Sequence, residues 1–412
     1  MYFITNSVEK YRSWSIDILT KMISIPTVNP PGKNYEEFVN YISEILKSIG
    51  MSIEVIEVPK SIVSKHYPEY AKYPRYIVIG RIGDGKPIIH FNGHYDVVPA
   101  GSGWSKDPFK PIVENGKLYG RGAVDMKGGI AASILAIRSF LETHSKFEGT
   151  IEIALVPDEE IGGVTGTGYL VEKKLSKPNY VVISEPSGVD NIWIGHKGAL
   201  WAYIEVFGKQ VHGSIPWRGI NAFEYMVKIA ERFMTEYKDI ISKKRSYYDY
   251  GDPEGAKPII TIGGEVKGGA KINIVPGYYA FSIDRRIIPE ENLDEVEKEI
   301  LRFIEKLRNE YPDIRIEIRI VNKMPPALSN PQSKLVQIAT DSIRQIINKE
   351  PKLMVCLGGL DMHYYVQKGI ETITYGPGPL GNAHIANEYV SIDEFMKVAK
   401  AYTLLLSKFL TK

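Results

Sequence analysis

The chain of 412 residues has one cysteine, Cys356, and that scarcity removes two chemistries at once. No intramolecular disulfide can form and no thiolate cluster can hold a metal, a usage that fits a reducing cytoplasm. Cys356 also lies in the apolar run Leu353-Met354-Val355-Cys356-Leu357, where a buried structural thiol is expected rather than a nucleophile. Apolar stretches of the ~20 residues needed to span a bilayer are missing. The N-terminal segment Met1 to Lys10 lacks the basic start and apolar core of a signal peptide. A cytoplasmic protein with no membrane partner is expected. Charge of one sign is not in excess either: the net charge is +2, and no Lys/Arg stripe suggests a nucleic-acid partner. Glutamine occurs only five times, against abundant Lys, Glu, Ile and Tyr, a bias found in thermophile proteins.

What is present is an alternation of helical and strand periodicities. Helices are expected over residues 8–24 and 34–49, and strands near 52–58, 75–81 and 87–92. Ile25-Pro26-Thr27-Val28-Asn29-Pro30-Pro31-Gly32 reads as a turn-rich break. After a loop at 93–123, a helix from Gly128 to about residue 142 is followed by strands at 150–156 and 180–184. This is the pattern of a layered α/β domain with a mainly parallel sheet. From about residue 195 the rhythm changes to strand 199–207, helix 220–238, strands 258–265 and 277–287, helix 290–310 and strand 314–321. That β-α-β-β-α-β order is ferredoxin-like. Pro325-Pro326 closes it, and helix 332–348, strands 353–357 and 370–375 and helix 391–410 resume the first pattern. The expected organisation is an α/β domain of residues 1–195 and 325–412, interrupted by an inserted domain of residues 196–324, with 242–257 an exposed polar loop.

The chemistry gathers at strand ends. Phe91-Asn92-Gly93-His94-Tyr95-Asp96 places an imidazole and a carboxylate two apart after an apolar run, so both leave the strand on one side. That suits a metal ligand steadied by a carboxylate, although a turn with a satisfied histidine has the same spacing. Asp125 sits in the glycine-rich turn Gly120-Arg121-Gly122-Ala123-Val124-Asp125-Met126-Lys127-Gly128-Gly129, which fits neither phosphate-loop pattern. Asp158-Glu159-Glu160 follows one strand and Glu185 another, and His384 lies in a Gly/Pro-rich loop after Thr372-Ile373-Thr374-Tyr375. An acid run is usually only solvated, but ligands of open α/β sheets collect at the carboxyl ends of strands. Crowding His94, Asp125, Glu160, Glu185 and His384 there without a cation would be costly. Two divalent metals sharing one carboxylate resolve the cost. Nitrogen and oxygen donors without sulfur suit zinc, with cobalt or manganese as substitutes.

These motifs resemble those of the zinc metallopeptidase and deacylase family that contains acetylornithine deacetylase, succinyl-diaminopimelate desuccinylase, aminoacylase and glutamate carboxypeptidase. The resemblance runs from Ile25-Pro26-Thr27 to Asn387-Glu388-Tyr389-Val390. It is strongest toward the deacetylase/desuccinylase branch through Trp104, Asp107-Pro108-Phe109, Leu118 to Gly122 and Gly208 to Ser214. It implies that Asp125 bridges two metals, with His94 and Glu185 completing one site and Glu160 and His384 the other. Glu159 would be the general base toward a metal-bridging water, and Asp96 would orient His94. In the inserted domain, a lid and dimerisation domain by resemblance, His212 would bind the oxyanion, reaching the site from the partner subunit in dimeric relatives. Asn273 and Arg286, with Arg285 as the adjacent competitor, would hold the substrate carboxylate, and Gly358-Gly359 would approach the substrate with their backbone. The implied enzyme removes an acetyl or succinyl group from an amino acid. A carboxypeptidase or dipeptidase is the alternative, and a non-catalytic binding protein would require a lost ligand or base. The expected partners are a small N-acyl amino acid or short peptide and a second copy of the chain. His66, His90, His144, His196 and His363 match no ligand position.

Overall fold

The apolar runs that end in candidate ligands form the centre of one mixed sheet in the computed structural model. The model describes residues 2–411, so Met1 and Lys412, at the ends of the expected α/β domain, lie outside the described residues. The chain divides into two units: Met1–Ile194 with Ser329–Met354 and Leu360–Lys412, and Gly195–Leu328 with Val355–Gly359.

In the first unit the strand order is Ser52–Glu57, Tyr76–Asp84, Gly149–Val156, Ile88–His94, Tyr180–Ile183, Glu371–Thr374 and Asn191–His196, the chain passing into the second unit after Ile194. The four strands from Gly149–Val156 to Glu371–Thr374 run parallel, and the flanking pairs are antiparallel. All four point their carboxyl ends the same way. Strand Gly149–Val156 is buried at every position, as a parallel strand covered on both faces must be. Helix Lys127–Thr143 covers the sheet with nearly all of its residues buried. Its glycines serve close packing: a Cβ on Gly129 would collide with the Ser184 carbonyl oxygen. The helix start is therefore pressed against the strand end that carries Glu185.

The second unit has one antiparallel sheet in the order Ile259–Gly268, Tyr278–Ile287, Gly198–Phe207, Arg315–Met324, with helices Ala222–Arg232 and Leu293–Glu310. Leu200, Ala202, Ile204 and Val206 alternate inward and join Phe233, Ile300, Phe303, Ile304 and Leu307 in its core. Each helix starts at an asparagine cap: Asn221 accepts from Phe223 N–H, and Asn292 from those of Asp294 and Glu295.

Four local expectations change. The helix expected over 8–24 is broken at Tyr11 into Tyr2–Lys10 and Arg12–Ser24. The one expected over 220–238 ends its α-helical part at Arg232, widens into a π-turn at Phe233–Tyr237 and runs on to Ser242. The loop expected at 93–123 contains Ile112–Glu114 and Lys117–Tyr119, which form a three-stranded sheet with Tyr389–Ser391. The segment 242–257 is not wholly exposed. Its polar composition hides an anchor, because Tyr250 and Ala256 are buried against Val355.

Candidate metal centre

Four segments at the carboxyl edge of the parallel strands, together with the Asp125 turn, converge on one carboxylate. His94 Nε2 stands 3.1 Å from Asp125 Oδ1 and 3.1 Å from Glu185 Oε1. His384 Nε2 stands 3.1 Å from the other oxygen of Asp125, Oδ2, and 3.2 Å from Glu160 Oε1. Asp125 thus turns one oxygen to each histidine. His94, Asp125 and Glu185 are buried, whereas His384 is half-exposed in its loop. Among the described residues, two triads place one ligand atom from each member within 4.8 Å of the others: His94, Asp125 and Glu160, and His94, Glu159 and Glu185. Glu159 therefore belongs to the same cluster.

The electrostatics report a shortage of positive charge. Burial, then the charge of Asp125, pushes Glu185 up to about 8. Burial, then the charges of Glu185, Asp361 and Glu160, holds Glu159 well above the usual carboxylate range, despite the lowering effect of His94. Hydrogen bonds to Asp125 and Glu160 raise His384 to about 10. Burial alone would raise Asp125, but the two histidines bonded to it outweigh burial and lower it. Each group either holds a proton it would lose in water or leans on one that does, which is the condition a bound cation relieves.

The environment of Asp96 differs in one respect from the expected one. His94 Nδ1 lies 3.0 Å from the backbone carbonyl oxygen of Asp96 and 3.5 Å from its carboxylate. The carboxylate turns instead to the next segment, accepting the N–H groups of Glu159 and Glu160 at 3.3 Å each. Carbonyl and carboxylate of one residue therefore hold the His94 ring and the Glu159–Glu160 turn together.

Sequence reasoning passed over the supports of this site. Asp158, fully buried with φ 66°, accepts Arg75 Nε at 2.8 Å, Asn29 Nδ2 at 3.0 Å and the Tyr35 hydroxyl at 3.2 Å. Glu388 accepts the backbone N–H of Val124 and Asp125 and pairs with buried Arg121. Lys127, fully buried, donates to the Met22 and Ile25 carbonyls at 2.9 and 3.0 Å. Each lies one to four residues from a candidate ligand or base in sequence, or contacts a residue that does, and that proximity was the available signal.

The other expected residues lie in the second unit. His212 is exposed, with Nδ1 2.8 Å from the Ser214 hydroxyl, on a short strand paired with Ile274–Val275. Asn273, also exposed, precedes that partner strand, and its carbonyl accepts Gly213 N–H at 2.8 Å. Arg285 and Arg286 point to opposite sides of their strand: Arg285 is buried against Glu291, while Arg286 is partly exposed beside Asp284. Gly359 presses on Met324, whose sulfur a Cβ would strike, and Gly358 is unconfined. Among the five histidines set aside, His90 is buried, with Nδ1 2.6 Å from Glu152 and Nε2 3.0 Å from the Tyr365 hydroxyl.

An open α/β sheet with an imidazole–carboxylate cluster at its strand ends defines a metal-dependent hydrolase. The chain belongs to peptidase family M20/M25/M40, whose pattern it matches over residues 90–408, and it is a hydrolytic enzyme acting on amide bonds. It is 26% identical over 402 residues to a succinyl-diaminopimelate desuccinylase of a Nitratiruptor species, covering 96% of this chain and 99% of that one. Human carnosine dipeptidase 1 shares the fold with a TM-score of 0.75 at 18% identity, covering 98% of each chain. So does an M20 family metallo-carboxypeptidase from Sulfolobus solfataricus, with a TM-score of 0.75 at 20% identity, covering 96% of this chain and 99% of that one. No helix among the described residues is long and apolar enough to cross a membrane.

Proposed function

We propose that the chain is a di-metal amide hydrolase that removes an acetyl or succinyl group from an amino acid with a free carboxylate. The observation that carries this reading is the straddling carboxylate of Asp125, one oxygen toward His94 and the other toward His384. The donor set fits two divalent ions: it has nitrogen and oxygen without sulfur, and burial and the charge of Asp125 raise the Glu185 carboxyl to about 8, a shift that a bound cation would oppose. His94, Asp125 and Glu185 would hold one ion, and Asp125, Glu160 and His384 the other, with zinc the best match and cobalt or manganese able to replace it. Bound there, the ions would supply Lewis acidity toward the amide carbonyl and toward water.

The side chains do the rest. Glu159, half-buried beside His94 and Glu185, accepts the proton of the attacking water and delivers it to the leaving amine nitrogen. Asp96 keeps the His94 ring and the Glu159 turn in register. For the second unit we retain the roles implied by the family resemblance. His212 donates to the oxyanion, Asn273 and Arg286 hold the substrate carboxylate, and the Gly358–Gly359 backbone meets the substrate. Arg286 is favoured over Arg285 because its guanidinium is partly exposed, whereas that of Arg285 is buried against Glu291. We read this unit, which the sequence places at 196–324 within 1–195 and 325–412, as a ferredoxin-like lid and dimerisation domain in a cytoplasmic homodimer. Its strand-helix order and sheet order support the fold.

The desuccinylase name of a relative that aligns along nearly the whole chain favours the deacylase reading. The fold shared with a dipeptidase and a carboxypeptidase makes peptide cleavage by the same residues the second reading. A hydrolysis panel of N-acetyl-ornithine, N-succinyl-diaminopimelate, other N-acyl amino acids and dipeptides, run with zinc or cobalt, separates them. Turnover of dipeptides alone would replace the deacylase reading, and turnover of none would remove both.

A further inference from the structure

The side chain of Asn29 is 1% exposed and stands between two buried carboxylates. Its Nδ2 donates to Asp96 Oδ2 at 2.8 Å and to Asp158 Oδ1 at 3.0 Å. An amide nitrogen has two hydrogens, and each is used on a different acid. Its Oδ1 is buried with no hydrogen-bond partner among the described residues, so the bonds that hold the side chain are made by its donors. The backbone of Asn29 is itself fixed: its N–H donates to the Val97 carbonyl at 2.9 Å, and Val28 bridges Val97 in parallel. The segment therefore runs alongside the residues that follow His94.

The two acids are not equivalent. Asp96 belongs to the His94 segment and accepts the N–H groups of Glu159 and Glu160. Asp158 begins the turn that carries those two residues, in a left-handed conformation with φ 66° that few non-glycine residues adopt and aspartate tolerates better than most. Among the described residues, Arg75 supplies the only full positive charge bonded to Asp158. Asn29 closes the ring between the two segments. An aspartate there would add a third buried carboxylate, and a serine would reach only one of the pair.

We propose that Asn29 is a positioning residue that fixes where Glu159 and Glu160 stand relative to His94 and Asp125. The inference rests on the assignment of Glu159 as base and Glu160 as ligand. Loss of the bridge loosens the turn at its first residue, which Arg75, Tyr35 and Thr165 still hold, and removes no candidate ligand side chain. Displacement of a reacting group by about 1 Å costs on the order of 100-fold in rate, so the effect falls on turnover and on the Glu160–His384 pair.

The test compares wild type, Asn29→Ala and Asn29→Ser as full-length protein. Steady-state kinetics are measured on the best substrate of the hydrolysis panel, and the metal-freed protein is titrated with Co2+ and followed by visible absorption. For Asn29→Ala, kcat should fall about 10- to 100-fold with KM within about threefold, and rebinding of the second cobalt equivalent should weaken about tenfold while the first is unaltered. Asn29→Ser, which keeps one donor, should show a smaller loss of the same kind, and it replaces Asn29→Ala as the test should the alanine variant not fold. A folded variant with wild-type kcat and an unchanged cobalt titration overturns the proposal. So does an equal weakening of both equivalents, which marks general loosening. Glu159→Gln run alongside separates the two levels: if it keeps full turnover the base assignment fails, and if it is inactive while the Asn29 variants are fully active only the Asn29 role fails.

Discussion

The carboxylate of Glu388 accepts the backbone N–H of Asp125 at 3.2 Å while its other oxygen pairs with Arg121. Glu388 lies four residues beyond His384, so one side chain ties the chain around the straddling carboxylate to the loop of the half-exposed histidine. Glu388→Ala would leave the Arg121 guanidinium buried and unpaired, a change that costs about 3–5 kcal/mol. Chemical denaturation should report a loss of that order, and metal titration a weakened second equivalent. Unaltered stability would show that Arg121 finds another acceptor.

Glu159→Ala should lower kcat by about 100- to 10,000-fold, the usual worth of a general base. Metal content by elemental analysis should stay near two per chain, because the five remaining ligands are intact. Full activity in this variant would remove Glu159 from the mechanism. A drop to one metal would instead make it a ligand, a role its place in a triad with His94 and Glu185 permits.

His212→Ala should reduce kcat with metal content unchanged, since the imidazole is not one of the five candidate ligands and hydrogen-bonds Ser214. Parallel kinetics and elemental analysis check this. An unchanged kcat would leave the histidine without an oxyanion role.

Chelation should abolish activity, with zinc or cobalt restoring it. The metal-free protein should also acquire a distinctive pH response. With the folded-state value of Glu185 near 8 and an unfolded carboxyl near 4.3, the folded state binds more protons between these limits. Stability of the metal-free form should therefore fall as pH rises from about 4.3 toward 8. Melting curves of chelated protein across that range measure it, and a rising Tm would contradict the charge-shortage account.

Glu152 should behave in the opposite way. Burial would raise it, but the hydrogen bond and charge of His90, the hydrogen bond of Ser176 and the charge of Arg81 outweigh burial and bring it to about 2. A carboxylate held below its unfolded value stabilises the fold above about pH 4.5, and that contribution is lost as pH falls through about 2. Glu152→Gln should cost on the order of 2–3 kcal/mol at neutral pH and progressively less in acid, read by denaturant titration of both proteins freed of metal.

Four of the five candidate ligands were legible because each comes after an apolar strand, and strand ends in a parallel sheet share an edge whatever the details of packing, whereas Asp125 lies in a glycine-rich turn before a helix. His94, Glu160 and Glu185 needed only that rule. The supports were not legible. Asn29 meets Asp96 across 67 residues and Arg121 meets Glu388 across 267, and nothing local to an asparagine or a glutamate announces a buried partner that far away. Arg285 and Arg286 were legible as a pair on opposite faces, but which one turned to the interior depended on Glu291, outside their strand. The three-residue strands Ile112–Glu114 and Lys117–Tyr119 are too short to show a period.

The family pattern covers residues 90–408, and every candidate ligand and the base fall within it. Asn29, Tyr35 and Arg75, which grip Asp158 and Asp96, fall before it. A fragment cut to the matched span would keep every candidate ligand and Glu159 and lose the three side chains that hold Asp158. On the proposed role of Asn29, the working enzyme extends beyond the recognisable pattern, because residues before 90 hold groups encoded after them.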